Sequence, residues 1–274
     1  VSWGVADFVG GVIARRLPVL VLLLGSNIAG VLVTGLIVAL AAGGMPPQDQ
    51  LLFALAAGPI TAITLVAFYR ALAIGTMSIV APVSTTGVAI PVAFGIAGGE
   101  ELSMLAVLGI VLAVPGVMLA SREQDVAATT HEHPPVATAL ALGAAVGFGT
   151  LMVLVERSSR TDQFWAVFFQ RVSTFAVIAA AVAFVLLRGG DGKLRPRVAD
   201  LPQTMSVGLL DTAAVTAFAY ASTNGKLSVT SVLAAVFPVV TVLLAHRFLG
   251  ERLAKPQKLG VALTLGGVAA LAVS

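Results

Sequence analysis

Apolar residues come in long blocks along this chain, separated by short stretches rich in polar residues, glycine and proline. A bilayer core of ~30 Å takes about 20 residues of helix at ~1.5 Å each. Runs of that kind are read at 1–14, 19–42, 51–69, 77–97, 103–121, 136–155, 164–187, 202–222, 228–249 and 257–273. The pattern predicts ten helices. The first run is too short to span, and the chain opens on Val1, which predicts further residues before it. The longest connectors are "REQDVAATTHEHPP" (122–135) and "RGGDGKLRPRVADLP" (188–202). The first falls between the fifth and sixth runs and divides the chain into units 1–121 and 136–274.

The two units echo each other. "GPITAITLVAFYRALAIGTMS" (58–78) aligns without a gap on "GLLDTAAVTAFAYASTNGKLS" (208–228), pairing Gly58 with Gly208, Phe68 with Phe218, Gly75 with Gly225 and Ser78 with Ser228. Further on, Glu100 pairs with Glu251, Gly109 with Gly260 and Val117 with Val268. Each unit then holds five helices, and an odd number turns the second copy upside down relative to the first. That is the inverted-repeat plan of many secondary transporters, with a substrate site near the membrane midplane.

Composition agrees with lipid as the solvent. Hydrophobic residues make up 58% of the chain and charged residues 11%, against about 25% charged in soluble domains. Mean hydropathy is +1.01. The net charge of +3 does not point to nucleic acid, because the basic residues sit between the apolar runs. With no cysteine there is neither a disulfide nor a thiolate metal site.

The blocks "GTMSIVAPV…PV…GEEL" and "GKLSVTSVLAAVFPVVTVLLA…LGERL…GVAL" resemble the two EamA repeats of the drug/metabolite transporter superfamily, and "WGVADFVGGVIARRLP" (3–18) is similar to the start of such a protein. The resemblance covers nearly the whole chain. It implies an all-α membrane protein of ten transmembrane helices, built as two inverted five-helix EamA repeats around a central cavity. It also implies export or exchange of small metabolites, amino acids or drugs across the cell membrane, by secondary transport with alternating access. The first copy departs from the second by three extra residues between Ser78 and Pro91, compared with Ser228 to Pro238. Pro91 and Pro238 remove a backbone donor inside a run, and read either as tolerated kinks or as hinges.

Glycines crowd several runs. Gly143, Gly147 and Gly149 in the sixth, Gly109 and Gly116 in the fifth, and Gly266 and Gly267 in the last are expected to let helices pack closely. The fifth and tenth helices are also candidates for a homodimer seam.

Three ionisable side chains, Asp7, Arg171 and Asp211, fall deep inside runs. A charge at bilayer depth costs about 2.5–3.5 kcal/mol on insertion scales, so it should face a cavity or a partner. Counting at ~1.5 Å per residue puts Asp7 ~12 Å and Asp211 ~13 Å from one face, and Arg171 ~10 Å from the other. Asp211 and Arg171 then differ by only ~7 Å in depth in a ~30 Å core. Arg171 is expected to anchor a substrate carboxylate or to pair with Asp211, and Asp211, with Asp7 second, is expected to carry a coupling proton. The plainer readings are a snorkelling Arg171 beside Gln170, an Asp211 bonded to Thr212 or a carbonyl, and an Asp7 near the surface. Helical phase adds Trp3 beside Asp7, and Phe218 two turns from Asp211 with Phe68 as its repeat mate. Asn27, Tyr69, Ser84 and Thr85 complete the cavity candidates, although hydroxyls in a span often bond their own helix.

Enzyme signatures are missing. There is no G-x-x-x-x-G-K-[ST], H-E-x-x-H or G-x-S-x-G, and no catalytic residue, cofactor or metal ligand is nominated. His131-Glu132-His133 lies in the polar connector and reads as a solvated loop. "GLLD" lacks the Gly-x-Gly-Asp of an intramembrane aspartyl protease. No ring of like charges suggests a channel. The rival to a transporter is a membrane sensor on the same fold. Loops after odd-numbered runs hold most basic residues, among them Arg15, Arg16, Lys255 and Lys258, whereas the other side holds Arg157, Arg160 and Lys226. The positive-inside rule therefore places both termini outside, and the family resemblance implies both inside.

Overall fold

The computed structural model describes residues 1–41, 43–75, 80, 83–120, 134–189, 198–249 and 255–272, and every regular element among them is helical. In chain order these are α1 (Ser2–Ala14), α2 (Val19–Ala41), α3 (Gln48–Ile74), α4 (Ala89–Ala97), α5 (Met104–Ala120), α6 (Pro134–Ser158), α7 (Gln163–Leu187), α8 (Leu201–Asn224), α9 (Leu227–Ala234), α10 (Phe237–Leu249) and α11 (Lys255–Ala272). The connector with His131, Glu132 and His133 lies outside the described residues, as do Ser78 and Glu251.

Among the described residues five helices, α2, α3, α6, α7 and α8, are long and apolar enough to cross a membrane. Their outward faces carry leucines that water would not tolerate in such numbers. Leu32, Leu36 and Leu40 form one exposed stripe on α2, spaced four apart as a helix face requires. Aromatic residues gather where α7 begins: Trp165 stacks on Phe169 with ring centroids 5.7 Å apart, and Phe168 packs edge-on against both. Such clusters sit at membrane–water boundaries. Asp162 caps that helix, its Oδ1 accepting from Phe164 N at 2.8 Å and Trp165 N at 3.1 Å. Its Oδ2 accepts from Gly43 N at 2.8 Å, and Trp165 Nε1 donates to Gly43 O at 3.1 Å, so the α2–α3 turn is pinned to the same level.

Lipid offers little hydrophobic drive for helix association, so close approach through small residues has to supply contact. A side-chain carbon on Gly58 of α3 would run into Ser173 of α7, one on Gly147 of α6 into Thr64 of α3, and one on Gly208 of α8 into the Ser26 carbonyl of α2. α5 and α11 meet in the same way: a carbon on Gly116 would lie 2.6 Å from Thr264 N, and one on Gly267 2.6 Å from Ala113 N. The small-residue faces expected as a dimer seam are thus covered by each other within one chain, and a second copy would have to use their outer sides. Gly143 and Gly266 differ from expectation, because nothing among the described residues lies within 4 Å of the position a side chain would take.

The run 228–249 is not one helix. α9 stops at Ala234, a turn at Ala235–Val236 intervenes, and α10 starts at Phe237 with Pro238 as its second residue. Proline has no N–H for the bond to the carbonyl four residues back, but an opening helical turn needs none. Pro91 likewise sits third in α4, after the 3₁₀ turn Thr86–Val88. Pro238 therefore stands just past a break, and Pro91 just past a 3₁₀ turn in an otherwise continuous helical stretch. Pro59 and Pro115, by contrast, lie inside continuous α3 and α5.

Candidate functional site

α7 presents Val167, Gln170, Arg171, Thr174 and Ile178 on its buried side, spaced three and four apart on one face. Two polar side chains are thereby turned inward. The Arg171 side chain is 2% exposed, and its Nη2 lies 2.7 Å from Asp211 Oδ2 on α8. Trp3 Nε1, from α1, donates to the other carboxylate oxygen, Asp211 Oδ1, at 2.9 Å. Arg171 does not snorkel. Asp211 is ionically paired and bonded to an indole rather than to Thr212, whose hydroxyl has no hydrogen-bond partner among the described residues. Space for the guanidinium comes from Gly30 of α2: a carbon there would lie 3.0 Å from Arg171 Cδ and 3.3 Å from Arg171 Nε.

Trp3, Arg171 and Asp211 line a cavity together with Asp7, Thr61 and Gln170. The remaining wall is apolar, made by Leu65, Phe148, Leu151, Met152, Val155, Val215, Phe218 and Phe237. The Thr61 hydroxyl donates to Ala57 O at 2.7 Å and accepts from Gln170 Nε2 at 3.0 Å. That fixes the Gln170 amide with its carbonyl oxygen elsewhere, and this oxygen has no partner among the described residues. Two carboxylates, Asp7 and Asp211, line the same cavity as one guanidinium, and Asp211 is the one paired with it. When all three are ionised the cluster holds one uncompensated negative charge, which a proton or a substrate ammonium would neutralise.

The cavity lies toward the end where α6 stops, α7 starts and α8 stops. Met152 and Val155 approach the end of α6 at Ser158, and Phe218 approaches the end of α8 at Asn224. Near the starts of α2 and α8 the helices close on each other, Gly25 against Thr204 and Ser26 against Gly208.

Of the residues expected at a cavity, Trp3, Asp7, Gln170, Arg171, Asp211 and Phe218 come together here. The others do not line it. Phe68 is 1% exposed and sits behind the wall, edge-on to Phe148 at 5.2 Å. Tyr69 fills the α1–α3 contact, where a carbon on Gly10 would lie 2.7 Å from its Oη. Asn27 is fully buried in α2 and donates to Leu23 O at 2.9 Å, within its own helix. Ser84 is buried apart from the cavity, and Thr85 lines a separate shallow groove with Val117 and Val232. Sequence reasoning missed Thr61, Leu65 and most of the apolar wall. One signal could have found two of them: the offset that takes Gly58 to Gly208 also takes Thr61 to Asp211 and Leu65 to Val215.

The profile of the EamA-like transporter family matches residues 136–273. A protein of Streptantibioticus cattleyicolor described as "Probable terminal-alkyne amino-acid exporter" is 35% identical over 107 residues, which cover 38% of this chain and 35% of that protein's length. A solved crystal structure matches with a TM-score of 0.73 over 99% of this chain and 94% of its own, at 17% identity, a likeness of fold.

Proposed function

Because the chain belongs to the EamA-like transporter family, and is therefore a multi-pass membrane protein, we propose that it is a secondary active exporter or exchanger of small zwitterions in the cell membrane, foremost amino acids with apolar side chains. Family and relative both point to a transporter rather than an enzyme.

The observation that carries the substrate class is the buried Arg171–Asp211 pair inside an otherwise largely apolar cavity. A free amino acid brings one carboxylate, one ammonium and a side chain. The guanidinium suits the carboxylate through paired N–H donors. The carboxylates of Asp211 and Asp7 suit the ammonium. Phe148, Leu151, Met152 and Val155 suit an apolar side chain. The description of the S. cattleyicolor relative as an amino-acid exporter supports the same class.

The architecture in this reading is ten spans in two inverted five-helix units. α4 with its preceding turn makes the fourth span, and α9 with α10 makes the ninth. The packing partners support it. α3 packs on α6 and α7, while its repeat mate α8 packs on α1 and α2; α1 meets α10 as α6 meets α4; α2 with α7, and α5 with α11, are mates packed on each other. Helices drawn together at Gly25–Thr204 and parted around the cavity fit one state of an alternating-access cycle, with Asp211 and Asp7 as proton carriers and the 3₁₀ turn before Pro91 and the Ala235–Val236 turn before Pro238 as hinges.

The test is mass spectrometry of spent medium from cells expressing wild type, Asp211→Asn or Arg171→Ala at matched membrane levels. Accumulation of apolar amino acids outside only wild-type cells is expected. Identical media from all three strains would reject export of this class.

A further inference from the structure

The turn after α4 brings Glu100 against the far half of the chain. Glu100 Oε1 accepts from Leu227 N at 2.7 Å, and Oε2 accepts from Ser228 N at 3.1 Å and from the Ser228 hydroxyl. Leu227 and Ser228 are the first two residues of α9. The opening N–H groups of a helix have no partner within it, and a Ser, Thr, Asp or Asn just ahead normally fills the gap. Here the residue just ahead is Lys226, whose backbone is extended and whose side chain caps nothing. The missing cap is supplied instead from 127 positions away. The chain makes room for it at Gly95, where a side-chain carbon would overlap the Glu100 carboxylate, and turns toward it through Gly99 at φ 91°.

α9 also lies along α4. It ends at the Ala235–Val236 turn, beyond which Phe237 forms part of the cavity wall. We infer that Glu100 is a positioning residue for transport: its carboxylate ties the start of α9 to the α4–α5 turn, so that the cavity wall at Phe237 moves about the Ala235–Val236 turn against a fixed α9. Glu100 does not line the cavity, so it acts on the rate of the cycle and leaves substrate affinity alone. The inference rests on the transport reading.

A helix cap would also matter for stability, and the experiment separates the two roles. Lys226 is exposed, and Lys226→Asp places a carboxylate where it can cap α9 locally without joining the two halves. Wild type, Glu100→Gln and Glu100→Gln/Lys226→Asp are compared in proteoliposomes for counterflow of L-propargylglycine, an amino acid ending in an alkyne, alongside its binding affinity and the melting temperature. Glu100→Gln is expected to lower both the melting temperature and the exchange rate, the latter about tenfold, with affinity within twofold of wild type. The double variant is expected to regain the melting temperature and not the rate. Recovery of both would reduce Glu100 to a cap, and an unchanged rate in Glu100→Gln would overturn the inference outright. A ligand-free arm keeps it apart from the substrate reading. The chain has no cysteine, so spin labels at Glu101→Cys and Asn224→Cys report the distance across the tie. Their distance distribution is expected to broaden in Glu100→Gln and to stay broad in the double variant. An unchanged distribution rejects the tie, whereas absence of propargylglycine exchange by wild type rejects only the substrate class.

Discussion

Arg171 and Asp211 form an ion pair at 2.7 Å, with side chains 2% and 19% exposed, between two helices that both wall the cavity. The Arg171 charge is fully buried and the Asp211 carboxylate opens only to the cavity, so the guanidinium depends on its partner. This makes the pair a weak source of stability and a sensitive one. Removing one partner strands the other, whereas removing both together removes the problem.

Arg171→Ala is therefore expected to destabilise the protein by up to about 3–5 kcal/mol, read as a fall in melting temperature in detergent. The double variant Arg171→Met/Asp211→Leu should recover most of that loss, since apolar residues of similar volume can replace a buried pair at little cost. Both variants should fail to exchange propargylglycine. A double variant as unstable as the single one would mean that the pair is not an isolated unit.

Gly30 gives the Arg171 stem its space. Gly30→Ala sets a methyl 3.0 Å from Arg171 Cδ and from Thr212 Oγ1, closer than ordinary contact, and displaces the guanidinium. Overpacking of this kind costs about 1–3 kcal/mol. Propargylglycine affinity should drop by about tenfold, which corresponds to ~1.4 kcal/mol. Isothermal titration on the purified protein measures it, and wild-type affinity would show that Arg171 is free to adjust.

Proton coupling by Asp211 is testable in proteoliposomes under an imposed pH gradient. Wild-type flux should respond to the gradient. Asp211→Asn keeps the size of the side chain and one acceptor for Trp3 but cannot carry a proton, so its flux should no longer respond. Full pH-dependent flux in Asp211→Asn would pass the role to Asp7, the other carboxylate facing the cavity.

The apolar wall should set the size limit. Val155→Phe adds bulk to the cavity wall. Export of alanine-sized substrates should persist while that of phenylalanine-sized substrates falls at least about tenfold, the scale on which one pocket contact discriminates. Equal loss across sizes would indicate a packing defect instead.

The sequence alone determined that the chain is a set of apolar helices and which side chains could not face lipid. Apolar blocks of membrane length allow little but helices, because backbone polar groups in hydrocarbon must be satisfied within the segment. Asp7, Gln170, Arg171 and Asp211 stand out against such blocks because burying charge or amide there is costly. Only the tertiary structure decided the rest. Phe68 and Phe148 are both apolar aromatics, yet Phe148 faces the cavity and Phe68 sits behind it. Asn27 is as polar as Gln170, but its amide bonds its own helix while Gln170 reaches across to Thr61. The break at Ala235–Val236, and the reach of Glu100 to α9, were equally hidden. The physical reason is common to all of these. When lipid and protein interior are both apolar, a helix has no wet face to mark its orientation, and which side turns inward is settled by contact with its neighbours.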